Sequence, residues 1–211
     1  MSVYLSTQKV IKDWIDYNDH MNVSYYLLMF DKYGADTLNN IFQMGEHSAK
    51  TSKKSTMIVE SHITYNQELQ LNDEVDINCV YFDHDKKRLQ YKMEMIHKEK
   101  KFLASTIEIL ALYVDLNERK VADFEEEKVK IMDDFIDKNK SQMASLSESI
   151  KPILKNEKDS KSDSKSDGSD VKKNIDNIYN SNITIFLSVY RVITRATCMH
   201  PRIPRGAPRF S

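Results

Sequence analysis

Four stretches of this chain carry strand patterns in succession, at residues 56–65, 74–83, 88–98 and 101–114, with turn sequences between them. The run V-D-I-N-C-V-Y from Val75 to Tyr81 and the run L-Q-Y-K-M-E-M from Leu89 to Met95 alternate most cleanly. A period of two puts every second side chain on one face of a strand. The breaks at Leu71-Asn72-Asp73, Asp83-His84-Asp85-Lys86 and His97-Lys98-Glu99-Lys100 fit turns. Ahead of the strands the period changes. Val23, Leu27, Phe30, Gly34, Leu38 and Ile41 recur near the helical repeat and predict one long helix over residues 22–42. Asn22 reads as its N-cap and Gly45 as its end. Gly34 and Ala35 are small enough to let the helix lie close on a sheet. An early strand, one long helix and then consecutive antiparallel strands make an α+β arrangement with the helix packed on one sheet face.

The 211 residues divide by composition. Residues 1–125 hold the patterning and most of the aromatics and are read as one domain. Residues 126–157 are charged and helix-prone, a helical extension. Residues 158–181 open with K-D-S-K-S-D-S-K-S-D-G-S-D, a polar tract that cannot offset its own ordering entropy. Residues 182–211 change character again. Arg191, Arg195, Arg202, Arg205 and Arg209 fall in the last 21 positions without one lysine or carboxylate, whereas Arg88 and Arg119 are the only arginines before residue 190. This tail reads either as an extension foreign to the domain or as a small basic partner-binding segment.

The net charge of -1 gives no reason to expect nucleic acid or an anionic membrane as a partner. Two distant cysteines, Cys79 and Cys198, make no disulfide framework or zinc knuckle. Without a signal-peptide core or an apolar run long enough to span a bilayer, the expected location is cytoplasmic. With four glycines in all there is no glycine-rich phosphate loop, and G-x-S-x-G is absent.

Chemistry concentrates between Trp14 and Tyr26, W-I-D-Y-N-D-H-M-N-V-S-Y-Y. Asp16 stands just before the helix, beside backbone N–H groups that no helical carbonyl uses and the positive end of the helix dipole. That geometry suits attack on a carbonyl and stabilisation of the resulting oxyanion. On spacing alone an Asx-turn aspartate is the plainer reading. His20 is either a turn histidine or an orienting group, and Asn22 is most simply a cap. Glu60 and His62 share one strand face and Tyr65 takes the other. Asp16, His20 and His62 lack the H-x-x-x-H or H-E-x-x-H spacing of a metal site, so none is expected.

In order and motif the chain resembles the hotdog-fold acyl-CoA thioesterases of the 4-hydroxybenzoyl-CoA thioesterase-like group, most of all the betainyl-CoA branch. Asp16-Tyr17-Asn18-Asp19-His20-Met21-Asn22 is similar to the family signature, with Asp19 where glycine is usual. Glu60-Ser61-His62-Ile63-Thr64-Tyr65, the hairpin Asp83 to Leu89, Ala104 to Glu108 and Tyr113-Val114-Asp115 resemble later strands, and the likeness spans residues 8 to 125. The resemblance implies an antiparallel sheet wrapped around one long helix. It implies Asp16 as nucleophile or general base, with His20 and Asn22 completing the catalytic turn and the amides of Val23 and Ser24 facing the oxyanion. Glu60, His62, Tyr17 and Tyr25 become candidates for the acyl group, whose cationic form would be drawn by a carboxylate and aromatic faces. Lys86-Lys87-Arg88 is either a solvated turn or a contact for coenzyme A phosphates. The implied substrate is a short or polar acyl-CoA, betainyl-type included, with no cofactor beyond the coenzyme A of the substrate. The implied assembly is a homodimer or dimer-based tetramer. A non-catalytic acyl-CoA-binding protein is the alternative, kept open by Asp19, and a dehydratase is a third.

Overall fold

The computed structural model describes residues 2–144. The expected boundaries at 157 and 181 and the basic tail lie outside these residues. β1 (Val3–Lys9) leads through a short 3-10 turn (Lys12–Trp14) into a helix running from Val23 to Ile41. α3 (Glu46–Thr51) follows, then β2 (Lys54–Tyr65), β3 (Glu74–His84), β4 (Arg88–His97), β5 (Leu103–Asp115), the two-residue β6 (Lys120–Val121) and α4 (Glu126–Asn139). The sheet order is β1-β3-β4-β5-β2, with β6 beside β5, and every pairing is antiparallel. Each strand expected from alternation is present to within two residues at either end. None of the helices among the described residues is long and apolar enough to cross a membrane.

One sheet face carries Ile77, Cys79, Tyr91, Met93, Ile107, Ile109 and Tyr113, all buried in a core shared with the long helix. The helix has three parts: α1 (Val23–Met29), a π-helical stretch (Phe30–Ala35) and α2 (Asp36–Ile41). Its buried row is Tyr26, Phe30, Gly34, Leu38 and Phe42, with Met29 and Ala35 beside it. Of the expected face only Phe30, Gly34 and Leu38 are buried; Val23, Leu27 and Ile41 are exposed. In a pure α-helix a row of every fourth residue drifts about 40° per step around the axis. The wider π turns take up part of that drift, which keeps Tyr26 and Phe42 on the same side. A uniform 3.6 period therefore assigns the wrong residues at both ends. Gly34 sits at the tightest approach: a Cβ there would lie 2.5 Å from Met93 Sδ and 3.3 Å from Ile77 Cγ2. Gly45 does not end this helix. Gln43 takes the left-handed conformation (φ 57°) after it, and Gly45 is the N-cap position of α3.

α4 places Met132 and Phe135 in the same core, Phe135 against Phe42 and Phe82. Glu125, its N-cap residue, ties three elements together. Its carboxylate accepts from Lys54 Nζ at 2.9 Å and from the Tyr113 hydroxyl at 2.9 Å, with Lys128 Nζ at 3.4 Å. Burial works to raise this carboxyl, but the Lys54 and Tyr113 hydrogen bonds and the Lys128 charge outweigh it and bring it down to about 2.

Candidate active site

The turn carrying Asp16 is closed by main-chain bonds that depend on no side chain. Asp16 N–H donates to the His20 carbonyl at 3.0 Å, Asp19 N–H to the Asp16 carbonyl at 3.1 Å, and Asn22 N–H to the Trp14 carbonyl at 2.9 Å. Ile15 and Met21 form an isolated bridge across it. The tight reversal needs one left-handed residue, and Asp19 supplies it with φ 61°. Aspartate is among the few residues besides glycine that enter this region readily, so the usual glycine is replaced without losing the turn.

Asp16 is drawn inward, with its side chain 15% exposed. Oδ1 accepts from the Asn18 N–H at 2.8 Å, and Asn22 Nδ2 lies 3.4 Å from Oδ2. His20 Nε2 is 3.5 Å from Oδ1. Asn22 is the N-cap: its Oδ1 accepts from the Ser24 N–H at 3.0 Å. One side chain thus caps the helix and turns its amide toward the carboxylate. The cap uses the Ser24 N–H, and the Tyr25 N–H donates to the Asn22 carbonyl. Of the first helical amides, Val23 is the one that neither of these bonds engages.

The same turn borders an open cleft of about 300 Å³ lined by His20, Met21, Val23, Tyr26, Tyr65, Asn66, Gln67 and Glu68. Tyr26 and Tyr65 meet edge to face at 5.3 Å. Burial pushes the Tyr26 hydroxyl above its ordinary range, so it stays protonated and can donate while it accepts from the Leu69 N–H at 3.1 Å. Among the lining residues there is no lysine or arginine.

The structure brings Asp16, His20, Asn22, Val23 and Ser24 together. Tyr25 stacks on Trp14, with ring centres 5.7 Å apart, and so backs the turn. Tyr17 is 93% exposed and is not among the residues lining the cleft. Glu60 and His62 are elsewhere. They pair across the sheet with Leu110 and Glu108, outside the set that packs against the helix, so within one chain they face away from the cleft. Tyr65, on the other face of the same strand, takes the position expected of them. Of the basic turn, Arg88 pairs with Asp85 through Nε at 2.6 Å, and Lys87 Nζ lies 3.7 Å from Asp123. No local sequence pattern marks Glu68, because it lies 48 residues from the histidine it touches.

A curled antiparallel sheet on one long helix is the hotdog arrangement. The thioesterase-like superfamily model matches residues 10–149, and the chain belongs to that family, a family of thioester hydrolases. A betainyl-CoA thioesterase of Pseudomonas aeruginosa is 28% identical over 129 residues, 60% of this chain and 80% of the relative. Among solved structures, a hypothetical Staphylococcus aureus protein in complex with CoA superposes with a TM-score of 0.60 at 23% identity, over 70% of this chain and 90% of that one. A 1,4-dihydroxy-2-naphthoyl-CoA thioesterase from Synechocystis gives 0.55 at 14% identity, over 61% and 94%. At these identities the two structures establish the fold.

Proposed function

We propose that this protein hydrolyses a short or polar acyl-CoA to the free acid and coenzyme A, with Asp16 as the reacting carboxylate. The observation that carries this reading is the state of Asp16. It is withdrawn from solvent, held by the Asn18 amide, and set between Asn22 and His20 at the start of the helix. As a base, Asp16 takes a proton from water while the water oxygen bonds to the thioester carbon. As a nucleophile, it bonds to that carbon itself and the resulting anhydride is then hydrolysed. In both routes the carbonyl oxygen becomes an oxyanion and the C–S bond breaks to release the thiolate. The Val23 amide, which neither the cap bond nor the Tyr25 bond engages, is the proposed donor to that oxyanion. Single turnover in 18O-water tests for the covalent route: label in Asp16 marks an anhydride opened at the Asp16 carboxyl carbon, whereas the base route places the label only in the released acid.

The acyl group favoured by the cleft is short and cationic. Tyr26 and Tyr65 offer aromatic faces to a quaternary ammonium, no lining residue repels a cation, and the relative from P. aeruginosa bears the name of a betainyl-CoA enzyme. A homodimer or dimer-based tetramer completes the proposal. Among the described residues β2 pairs on one side only, with β5, and a strand of 12 residues with a free edge is a template for a second copy. Glu60 and His62 stand on that strand, so any contact they make with substrate would be through the paired copy.

The test is Asp16→Asn with betainyl-CoA, butyryl-CoA and an aromatic acyl-CoA. An enzyme loses turnover at least a hundredfold and still binds acyl-CoA. A non-catalytic binder shows no turnover in the parent to lose. Asp19 at φ 61° favours the enzyme reading, since the turn keeps its shape without glycine.

A further inference from the structure

His20 is held from both sides. Nε2 faces Asp16 Oδ1 at 3.5 Å, and Nδ1 lies 3.3 Å from Glu68 Oε2. Glu68 comes from the loop after β2, and that loop is fixed to the turn. The Met21 N–H donates to the Leu69 carbonyl at 2.7 Å, the Leu69 N–H donates to the Tyr26 hydroxyl at 3.1 Å, and the Leu69 side chain is fully buried. The residue next to Glu68 is therefore anchored to the site turn and to the long helix at once. This leaves the Glu68 carboxylate little choice of where its backbone sits.

We infer that Glu68 is a positioning residue for the hydrolysis, acting through His20; this rests on Asp16 as the reacting carboxylate. A neutral imidazole carries its proton on one nitrogen, and the partner of the other ring atom decides which. Glu68 and Asp16 can both only accept when ionised, and the Glu68 contact, at 3.3 Å against 3.5 Å, is the shorter, so the Nδ1 proton is the one turned to a carboxylate. Nε2 then faces Asp16 Oδ1 and becomes its acceptor once Asp16 carries the proton of the attacking water. In the general-base route Asp16 removes a proton from the attacking water as the O–C bond forms. Nε2 is placed to take that proton from Asp16 and return it to the coenzyme A sulfur as the C–S bond breaks. No proton is gained or lost beyond those of water, acid and thiol. Without Glu68 the ring is free to turn or to carry its proton on the wrong nitrogen.

The pair is partly solvated, with side-chain exposures of 34% for His20 and 60% for Glu68. A contact this open to solvent contributes little to stability, so the proposed role is in catalysis and not in folding.

The experiment compares Glu68→Ala, Glu68→Gln, His20→Gln and the double variant His20→Gln/Glu68→Ala with the parent and Asp16→Asn. Turnover of betainyl-CoA and butyryl-CoA is followed by release of free thiol, and the His20 tautomer by long-range 15N–1H NMR. Glu68→Ala is expected to lower kcat about tenfold with KM within twofold, and to move the His20 proton off Nδ1. Glu68→Gln, which keeps an acceptor oxygen, recovers part of kcat. In the His20→Gln background Glu68→Ala has no further effect, because the two act as one unit. Parent kcat in Glu68→Ala, an unchanged tautomer, or additive losses in the double variant would overturn the proposal while leaving Asp16 untouched. Full activity in Asp16→Asn would instead remove the reading on which it rests.

Discussion

On the proposed mechanism Asn22 serves the fold with one side-chain atom and the chemistry with another, and two substitutions separate the two roles. Asn22→Ala removes the Oδ1 that accepts from the Ser24 N–H at 3.0 Å and the Nδ2 that lies 3.4 Å from Asp16. Loss of an N-cap costs about 1 kcal/mol, which for a domain of this size lowers Tm by about 2–4 °C. Asn22→Ser keeps a capping oxygen and so keeps the helix start, but it has no amide to turn toward Asp16. A hydrogen bond to a charged group contributes about 1.5–3 kcal/mol at good geometry. At 3.4 Å this one is longer than the usual range, so about 1 kcal/mol, or about fivefold in rate, is the expected share. Asn22→Ser should therefore melt within about 1 °C of the parent and lose about fivefold in kcat/KM, whereas Asn22→Ala loses both stability and rate. Differential scanning fluorimetry and steady-state hydrolysis are sufficient. Parent kcat/KM in Asn22→Ser would show that Asn22 is a cap alone. A melting loss in Asn22→Ser equal to that of Asn22→Ala would show that the separation of roles is wrong.

Three further outcomes follow from the packing. Glu125 is held at about 2 when folded, against 4.5 as the ordinary value. Its contribution is therefore fully present above pH 4.5 and lost as the pH falls through about 2. With the side chain 38% exposed, solvent screening reduces this to about 1 kcal/mol. The urea midpoint of Glu125→Gln should lie below the parent at pH 7, and the gap should close toward the acid end of that window. Gly34→Val drives methyl groups into the space of Met93 and Ile77 and should cost about 2–3 kcal/mol by chemical denaturation; Met93→Ala in the same chain should recover part of it. Burial pushes the Cys79 thiol up to about 12, so peptide mapping should find it unalkylated by iodoacetamide at pH 8 until the protein unfolds.

The strands were legible because alternation is a local property that the antiparallel sheet preserves. The face of the helix was not, because its phase depends on the π-helical stretch around Phe30–Ala35, and nothing in a list of apolar residues marks where a helix widens. Val23, Leu27 and Ile41 were assigned inward by that error. On β2, alternation correctly separated Glu60 and His62 from Tyr65, but a period of two cannot say which face looks at the cleft. Cross-strand pairing with Leu110 and Glu108 decides it, and that is a long-range fact. The places of Asp16 and Asn22 could be read in advance because they are held by neighbours within a few residues. Glu68 could not, since only the bonds from Met21 and Tyr26 to Leu69 bring it to His20.

That division has a consequence for how the site tolerates change. The turn holding Asp16 is closed by the bonds Asp16 N–H to His20, Asp19 N–H to Asp16 and Asn22 N–H to Trp14, all main chain to main chain. Replacing the carboxylate or the imidazole leaves every one of them in place. The residues proposed to react can therefore vary without unfolding the turn that presents them, while the residues that shape it are restricted, Asp19 to those that accept a positive φ and Leu69 by its buried anchor. Asp19→Gly keeps the left-handed conformation without strain and should preserve both Tm and kcat. Asp19→Val forces a β-branched residue to φ 61°, at a cost of order 1–3 kcal/mol, and should lower both together. A variant at Asp19 that lost rate with no loss of stability would mean that its carboxylate takes part in the chemistry and does more than complete the turn.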